Sequence, residues 1–315
     1  MPPLWRTHTR AEPQTALDAA QQWELQPASI GLIAHSGNSV YRAKRKCETV
    51  ILRLTDSNYR TAQETAAELA FIDHLSCCGV QVSCAIPSVD GMLVEEVSCT
   101  GNTFLACLFE YAPGTVLTPS SAGWNDELLI DWGRSLATLH KVSGSAPALH
   151  RWHWCEEHLI EHALDILPAN DERVRHEFQT VFDWFSELVR NPGNYGMTHS
   201  DYGPGNYHYT QPTGITAFDF GNCCYHWYLW DLAVGFRWLS TFPEAERLQA
   251  SVLRGYQSVL SIEACLLARM SWFIRLRLLY IYLDRRAKFL YQRDDESRVE
   301  AEFWRNQIHL APSSE

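Results

Sequence analysis

The sequence predicts an α+β chain of two lobes, and three observations carry that prediction. Between residues 30 and 111, short segments alternate apolar and polar side chains around one long helical pattern. Pro113-Gly114 then breaks the chain. Beyond the break, apolar residues recur at helical spacing through most of what remains.

The elements follow in order. Residues 17–25 have helical spacing and precede Pro27. Residues 30–34, 39–43 and 50–54 alternate as strands, with Gly37-Asn38 and the basic Lys44-Arg45-Lys46 run as turns. Residues 62–75 are rich in alanine and glutamate with apolar side chains at helical spacing, and Gly79 closes them. Residues 81–87 lead into two further strands, 92–97 and 103–111, around Gly101-Asn102. The sum is a five-stranded antiparallel sheet with one helix. After the break, residues 127–140 carry a helical stripe of Leu128, Leu129, Trp132, Leu136 and Leu139. Residues 178–189, 245–260, 262–290 and 300–308 also read as helices. The two lobes, 1–112 and 113–315, join at residues 109–114.

Composition narrows the function. A chain of 315 residues can bury substantial cores in both lobes. Lys and Arg total 26 against 37 Asp and Glu, a net charge of −11, whereas a nucleic-acid binder needs a basic face. Residues 1–10 hold no apolar segment that could act as a signal peptide. The most apolar late stretch, 264–283, is interrupted by Arg269, Arg275 and Arg277, so it reads as a packed helix and not a membrane span. Ten cysteines without C-x-x-C then read as reduced, buried small hydrophobes in a cytosolic protein.

The chemistry concentrates at His199-Ser200-Asp201-Tyr202-Gly203-Pro204-Gly205-Asn206 and at Asp219-Phe220-Gly221. Between them, Tyr207 to Thr210 and Ile215 to Phe218 read as two short strands joined by Gln211-Pro212-Thr213-Gly214. A hairpin with those ends brings Asn206 and Asp219 together as two oxygen ligands for one hard cation, and Mg²⁺ suits such a site. The order is similar to H-R-D-x-x-x-x-N and D-F-G of protein kinases, in which an aspartate takes the acceptor's proton.

Residues 199–233, with Asp231-Leu232-Ala233 closing the run, resemble the Brenner-type motif of the aminoglycoside phosphotransferase and choline kinase group. The chain departs from that pattern at Ser200, where the group usually has Gly, and at Gly221-Asn222, where acids are common. The resemblance implies a bilobal protein-kinase-like fold and an ATP-dependent kinase, with GTP not excluded, that phosphorylates a hydroxyl of a small molecule. Amino alcohols, hydroxy amino acids and aminoglycosides all fit. It assigns Asp201 as the proton acceptor, His199 as a brace of the catalytic loop, and Asn206 and Asp219 as the Mg²⁺ ligands. Asp231 would support the loop backbone near His199.

In the small lobe, Arg53 stands in an apolar strand where an unpaired charge is costly. The group carries Lys or Arg at this position to meet the nucleotide phosphates. Its expected partner is Glu68, with Glu64 as the competitor. Gly37, Asn38 and Ser39 follow Ser36 in the turn that would cover the phosphates with backbone N–H groups. The segment Phe109-Glu110-Tyr111-Ala112-Pro113-Gly114 resembles the linker whose backbone meets the purine.

Three further features bear on the acceptor and on rival functions. His158-Leu159-Ile160-Glu161-His162 matches H-x-x-E-H, a zinc-peptidase pattern, but five residues with three fixed are easily met in a chain with 13 histidines. Tyr225, Trp227, Tyr228 and Trp230 are either core or walls for a cationic acceptor, and Tyr202 is the aromatic expected to face it. Net charge points the same way, toward an acceptor with an amine. A Ser/Thr protein kinase of the bacterial stress-response type is one rival. Against it, nine residues, 222–230, separate Gly221 from Asp231 and no A-P-E follows. A non-catalytic pseudokinase that binds a partner is the other, and retention of Asp201, Asn206 and Asp219 argues against it.

Overall fold

The computed structural model describes residues 9–310 apart from Ser36, Ala122 and Pro212. The expectations that fell on residues 1–8, Ser36 and Pro212 therefore lie outside the described residues. The chain opens with α1 (Pro13–Ala20), which starts at a proline and gives way to a 3₁₀ turn, Gln21–Trp23. This helix is earlier and shorter than the 17–25 expected. Strands β1 (Gly31–His35), β2 (Asn38–Arg45) and β3 (Glu48–Asp56) then form antiparallel neighbours, and α2 (Ala62–Cys77) follows. Strands β4 (Ala85–Ile86), β5 (Glu95–Cys99) and β6 (Asn102–Glu110) complete the sheet.

That sheet has six strands rather than five. Its order is β1-β2-β3-β6, and β4 and β5 share the free edge of β6. Sequence missed β4 because two residues carry no period. Alternation along β3 divides its side chains between faces. Val50, Leu52 and Leu54 pack with Ala16, Ala19 and Trp23 in a small core on one side. On the other, Ile51 packs against the main core, which includes Phe71, Ile72 and Leu75 of α2.

The second lobe carries α3 (Asp126–Ser143), α4 (His158–Glu161), α5 (Ala163–Ile166) and α6 (Glu172–Glu187). Next come β7 (Tyr195–Thr198), β8 (Tyr207–Thr210), β9 (Gly214–Ala217) and β10 (Cys224–Trp227). It ends with α7 (Leu229–Leu239), α8 (Ala245–Gln257), α9 (Ala264–Leu267), α10 (Met270–Ala287) and α11 (Asp295–Leu310). The helix expected over 262–290 is thus two, broken where Arg269 leaves helical geometry and continued past α10 by a π turn, Lys288–Gln292. Helix α7 gave no sequence signal, because nine of its eleven residues are buried and an all-round apolar helix has no stripe. No described helix is long and apolar enough to cross a membrane.

The cysteines correct another expectation. All ten are unpaired, but Cys47, Cys77, Cys78 and Cys265 are exposed rather than buried. The aromatic run resolves mainly to core. Trp227, Tyr228 and Trp230 are buried, and Trp184 stacks flat on Trp272 at 4.8 Å.

Buried histidines give this core a pH dependence. Burial holds the rings of His140 and His226 below the usual imidazole range, and the ring of His226 accepts the Trp227 N–H at 2.9 Å. The unfolded chain binds protons at about 6.5 while the folded rings do not, so stability falls as pH drops below that value. Melting temperature should decline between pH 7.5 and 5.5, and His226→Asn should flatten that slope while lowering the plateau. An unchanged slope would show that this ring does not set it.

Candidate active site

The hairpin β8–β9 pairs Tyr207 with Ala217, and the Phe218 N–H donates to the Asn206 carbonyl at 3.0 Å. Its ends therefore meet, which sets Asn206 beside Asp219. The carboxamide of Asn206 donates from Nδ2 to the Asp201 carbonyl at 2.8 Å and to Asp201 Oδ2 at 3.2 Å. That orientation leaves Asn206 Oδ1 as the free ligand atom. Asp219 sits in the left-handed region, φ 63°. Its carboxylate makes no hydrogen bond or ion pair among the described residues. Crowding by protein around the cleft, with Glu68 and Asp201 adding to it, pushes its pKa up although Arg53 opposes. An unsatisfied carboxylate beside two others is what a divalent cation relieves, so these residues fit the metal expected of them.

Asp231 organises the loop from below. Fully buried, it accepts the N–H of His199 at 2.8 Å and of Ser200 at 2.7 Å, and His140 Nε2 at 3.0 Å. His199 is also fully buried. Its Nε2 donates to the Phe218 carbonyl at 2.9 Å and its Nδ1 accepts the Asp201 N–H at 3.3 Å. Both ring nitrogens are engaged, so His199 ties the 199–206 loop to the hairpin. Ser200 takes φ 66°, which explains why glycine suits this position. Its hydroxyl bonds to Thr198 Oγ1 at 2.8 Å, against a local strain of about 1–2 kcal/mol.

From the small lobe, Arg53 forms a two-pronged ion pair with Glu68 at 2.6 and 2.9 Å. Burial works against both charges, but each partner holds the other ionised. Glu64 cannot compete, because its carboxylate accepts the Thr61 N–H at 2.8 Å in a capping box at the start of α2.

Asn38, Arg53, Glu68, Asp201 and Asp219 line one cleft of about 240 Å³, and Asn206 and His199 lie outside its lining. Asn38 Oδ1 accepts the Thr55 hydroxyl at 2.9 Å, and Gly37 lies under Tyr59 with φ +97°. The Ser39 hydroxyl is turned away, accepting the Ala11 N–H at 3.0 Å. In the linker, the Glu110 N–H donates to Cys84 and its carbonyl accepts the Ser83 hydroxyl. The Ala112 carbonyl accepts from His208 at 2.8 Å, while Tyr111 is exposed. None of Gly37, Ser39, Glu110, Tyr111 and Ala112 lines the cleft itself. Tyr202 does not face a substrate as expected. It is fully buried, with its hydroxyl on Ser135 at 2.8 Å.

Among the residues that sequence reasoning missed, two arginines brace these segments. Arg277 of α10 bonds Asp201 Oδ1 at 2.8 Å, so the carboxylate is held between a guanidinium and an amide. Arg151 is buried and spans three carbonyls, Cys223, Gly221 and Glu64, at 2.7, 2.7 and 3.1 Å. It locks the turn after Asp219 to α2. Neither sits at a fixed spacing from a motif, and only the packing of distant segments reveals them. The H-x-x-E-H residues His158, Glu161 and His162 do approach one another, within 4.8 Å, but on α4 and its C-terminal cap, and none of them lines the cleft.

The two lobes and this cleft define a phosphotransferase of the protein-kinase-like fold. The chain belongs to the phosphotransferase enzyme family, whose pattern matches residues 30–268. It is 26% identical over 285 residues to the amicoumacin kinase of Bacillus subtilis (strain 168), covering 86% of this chain and 84% of that one. Among solved structures it is similar to the amicoumacin kinase hAmiN in complex with AMP-PNP, Ca²⁺ and Ami. That match has a TM-score of 0.85 and 25% identity, over 94% of this chain and 92% of the other. A microcompartment-associated aminopropanol kinase shares the fold at a TM-score of 0.79 and 22% identity, over 94% and 95% of the two chains.

Proposed function

We propose that the chain transfers the γ-phosphate of ATP, with Mg²⁺, to a hydroxyl of a small molecule that also carries an amine. The observation that supports it best is the cleft in which Asp201, Asp219 and the Arg53–Glu68 pair converge. The nucleotide would lie between lobes 1–112 and 113–315, with its purine against the Ala112 N–H and its phosphates under the turn at Gly37, Asn38 and Ser39. Arg53, held by Glu68, would meet the phosphates. Asn206 and Asp219 would hold Mg²⁺, which when bound offsets phosphate charge. Asp201 would accept the proton of the attacking hydroxyl. Arg277 fixes one of its oxygens and Asn206 the other, so it is oriented before the acceptor arrives.

The amine has a place beside this cleft. A side pocket of about 20 Å³, large enough for one ammonium, shares Asn222 and Tyr280 with it and is lined by Trp154, Glu157 and Trp230. Burial pushes the Glu157 carboxyl up to about 7, and an ammonium between the aromatic walls would restore its charge by pairing with it. A protein-kinase role is disfavoured, because residues 222–230 are taken up by a turn, β10 and the start of α7. The cytosol, where ATP is supplied, suits this reading.

The test is ADP release with Mg²⁺, ATP or GTP as donor, and a panel of amino alcohols, hydroxy amino acids and aminoglycosides. An amine-bearing acceptor should be used best, with an apparent affinity that weakens as salt rises. Preference for a neutral, salt-insensitive acceptor would remove the amine but leave the kinase. No acceptor-dependent ADP release would remove both.

A further inference from the structure

We propose that the acceptor also carries a carboxylate, bound by Arg60 at the wall of the cleft, which makes it a hydroxy amino acid rather than a plain amino alcohol. This rests on the phosphotransferase reading above. Arg60 lines the cleft yet is only 9% exposed. Its guanidinium has no acid within ion-pair distance among the described residues. Its hydrogen bonds are two long ones, 3.5 Å to the Tyr59 carbonyl and 3.4 Å to Asn222 Oδ1. A buried charge with so little compensation is unusual.

The other cations of the cleft are all matched. Arg53 has Glu68 at 2.6 Å, Arg277 has Asp201 at 2.8 Å, Arg285 has Glu300 at 2.7 Å and Lys288 has Asp284 at 3.0 Å. Arg60 instead lies against two rings, Tyr59 at 4.3 Å and Trp152 at 4.7 Å. Burial disfavours its charge, but Tyr59, Glu157 and Glu64 act to keep it ionised. Ring contacts leave the edge of the guanidinium, with its paired N–H groups, for a planar oxyanion.

Position points to the acceptor. Asn222, which Arg60 touches, lines both the cleft and the side pocket that holds Glu157. Glu157 feels Arg60 without touching it, and accepts the Leu159 N–H at 2.8 Å instead. Two opposite charges that line adjoining pockets, the larger of which also holds Asp201, match a ligand bearing both an ammonium and a carboxylate.

Threonine, 1-aminopropan-2-ol and 3-hydroxybutanoate form a matched probe set, because the last two lack the carboxylate and the amine respectively. Each is titrated by thermal shift on the full chain with AMP-PNP and Mg²⁺ present. Threonine should stabilise the wild type more than the amino alcohol does, and 3-hydroxybutanoate should also bind. Arg60→Gln should weaken both carboxylate probes by about tenfold or more, leaving 1-aminopropan-2-ol and the AMP-PNP shift unchanged. Arg60→Lys keeps the charge without the fork and should fall between, and it serves if the glutamine variant does not fold. The proposal is overturned if carboxylate probes do not stabilise the wild type, or if they still do so equally in both variants. It is also overturned if the AMP-PNP shift is what disappears, since Arg60 would then serve the nucleotide. A wild type with no AMP-PNP shift and no ADP release would instead sink the phosphotransferase reading itself.

Discussion

Asp201→Asn should lower turnover by about 10²–10⁴-fold while nucleotide binding stays near that of the wild type. The substitution keeps size and the contact with Asn206 but removes the carboxylate proposed to accept the proton. It also removes the charge that faces Arg277 at 2.8 Å, so melting temperature is recorded alongside. The Asp201 side chain is 36% exposed, and losing such a pair costs at most about 1 kcal/mol. Arg53→Ala provides the contrast. It strips Glu68 of its partner in a buried site, costing about 3–5 kcal/mol, and should weaken nucleotide binding as well as turnover. Pre-steady-state and equilibrium nucleotide binding separate the two cases. Asp201→Asn that binds nucleotide poorly but turns over normally would reverse the roles assigned to the two lobes.

Asp219→Ala should abolish transfer and leave the fold intact. The carboxylate makes no bond within the described protein, and removing it relieves crowding with Glu68 and Asp201. A melting temperature equal to or above that of the wild type is therefore expected without ligand. With AMP-PNP added, the wild type should gain stability in proportion to divalent metal, and the variant should lose that metal dependence. Turnover that survives in Asp219→Ala would remove the metal assignment.

Much of this could be read from sequence, and what could not has a physical reason. Local chemistry was legible. The spacing of Asp201, Asn206 and Asp219 gave the hairpin, because register and turn are properties of neighbouring residues. Arg53 stood out as a charge in an apolar strand, and the capping box explains why Glu68 rather than Glu64 meets it. Helix α7 was hidden by uniform burial and β4 by its length. Arg60, Arg151 and Arg277 were hidden for another reason. Each acts on residues far away in the chain, as Arg277 does on Asp201 across 76 positions. Tyr202 was misread because its place in the chain does not show that its ring is buried and its hydroxyl bonded to Ser135.

Gly114 has a mechanical consequence. A β-carbon there would lie 2.3 Å from the Tyr209 carbonyl, so the connection between the lobes presses directly onto β8. Thr115 and Tyr209 exchange backbone bonds at 3.2 and 3.0 Å, and Ala217 of β9 bonds to Gln81 and Ser83 at 3.0 and 2.9 Å. The hairpin is thus stitched both to the connection between the lobes and to the segment that leads from α2 to β4. A rotation of one lobe against the other would pivot on those stitches, close to Asn206 and Asp219. Opening about that pivot would leave Asn206, Asp219 and Arg53, whose guanidinium lies close to Asp219, nearly still relative to one another.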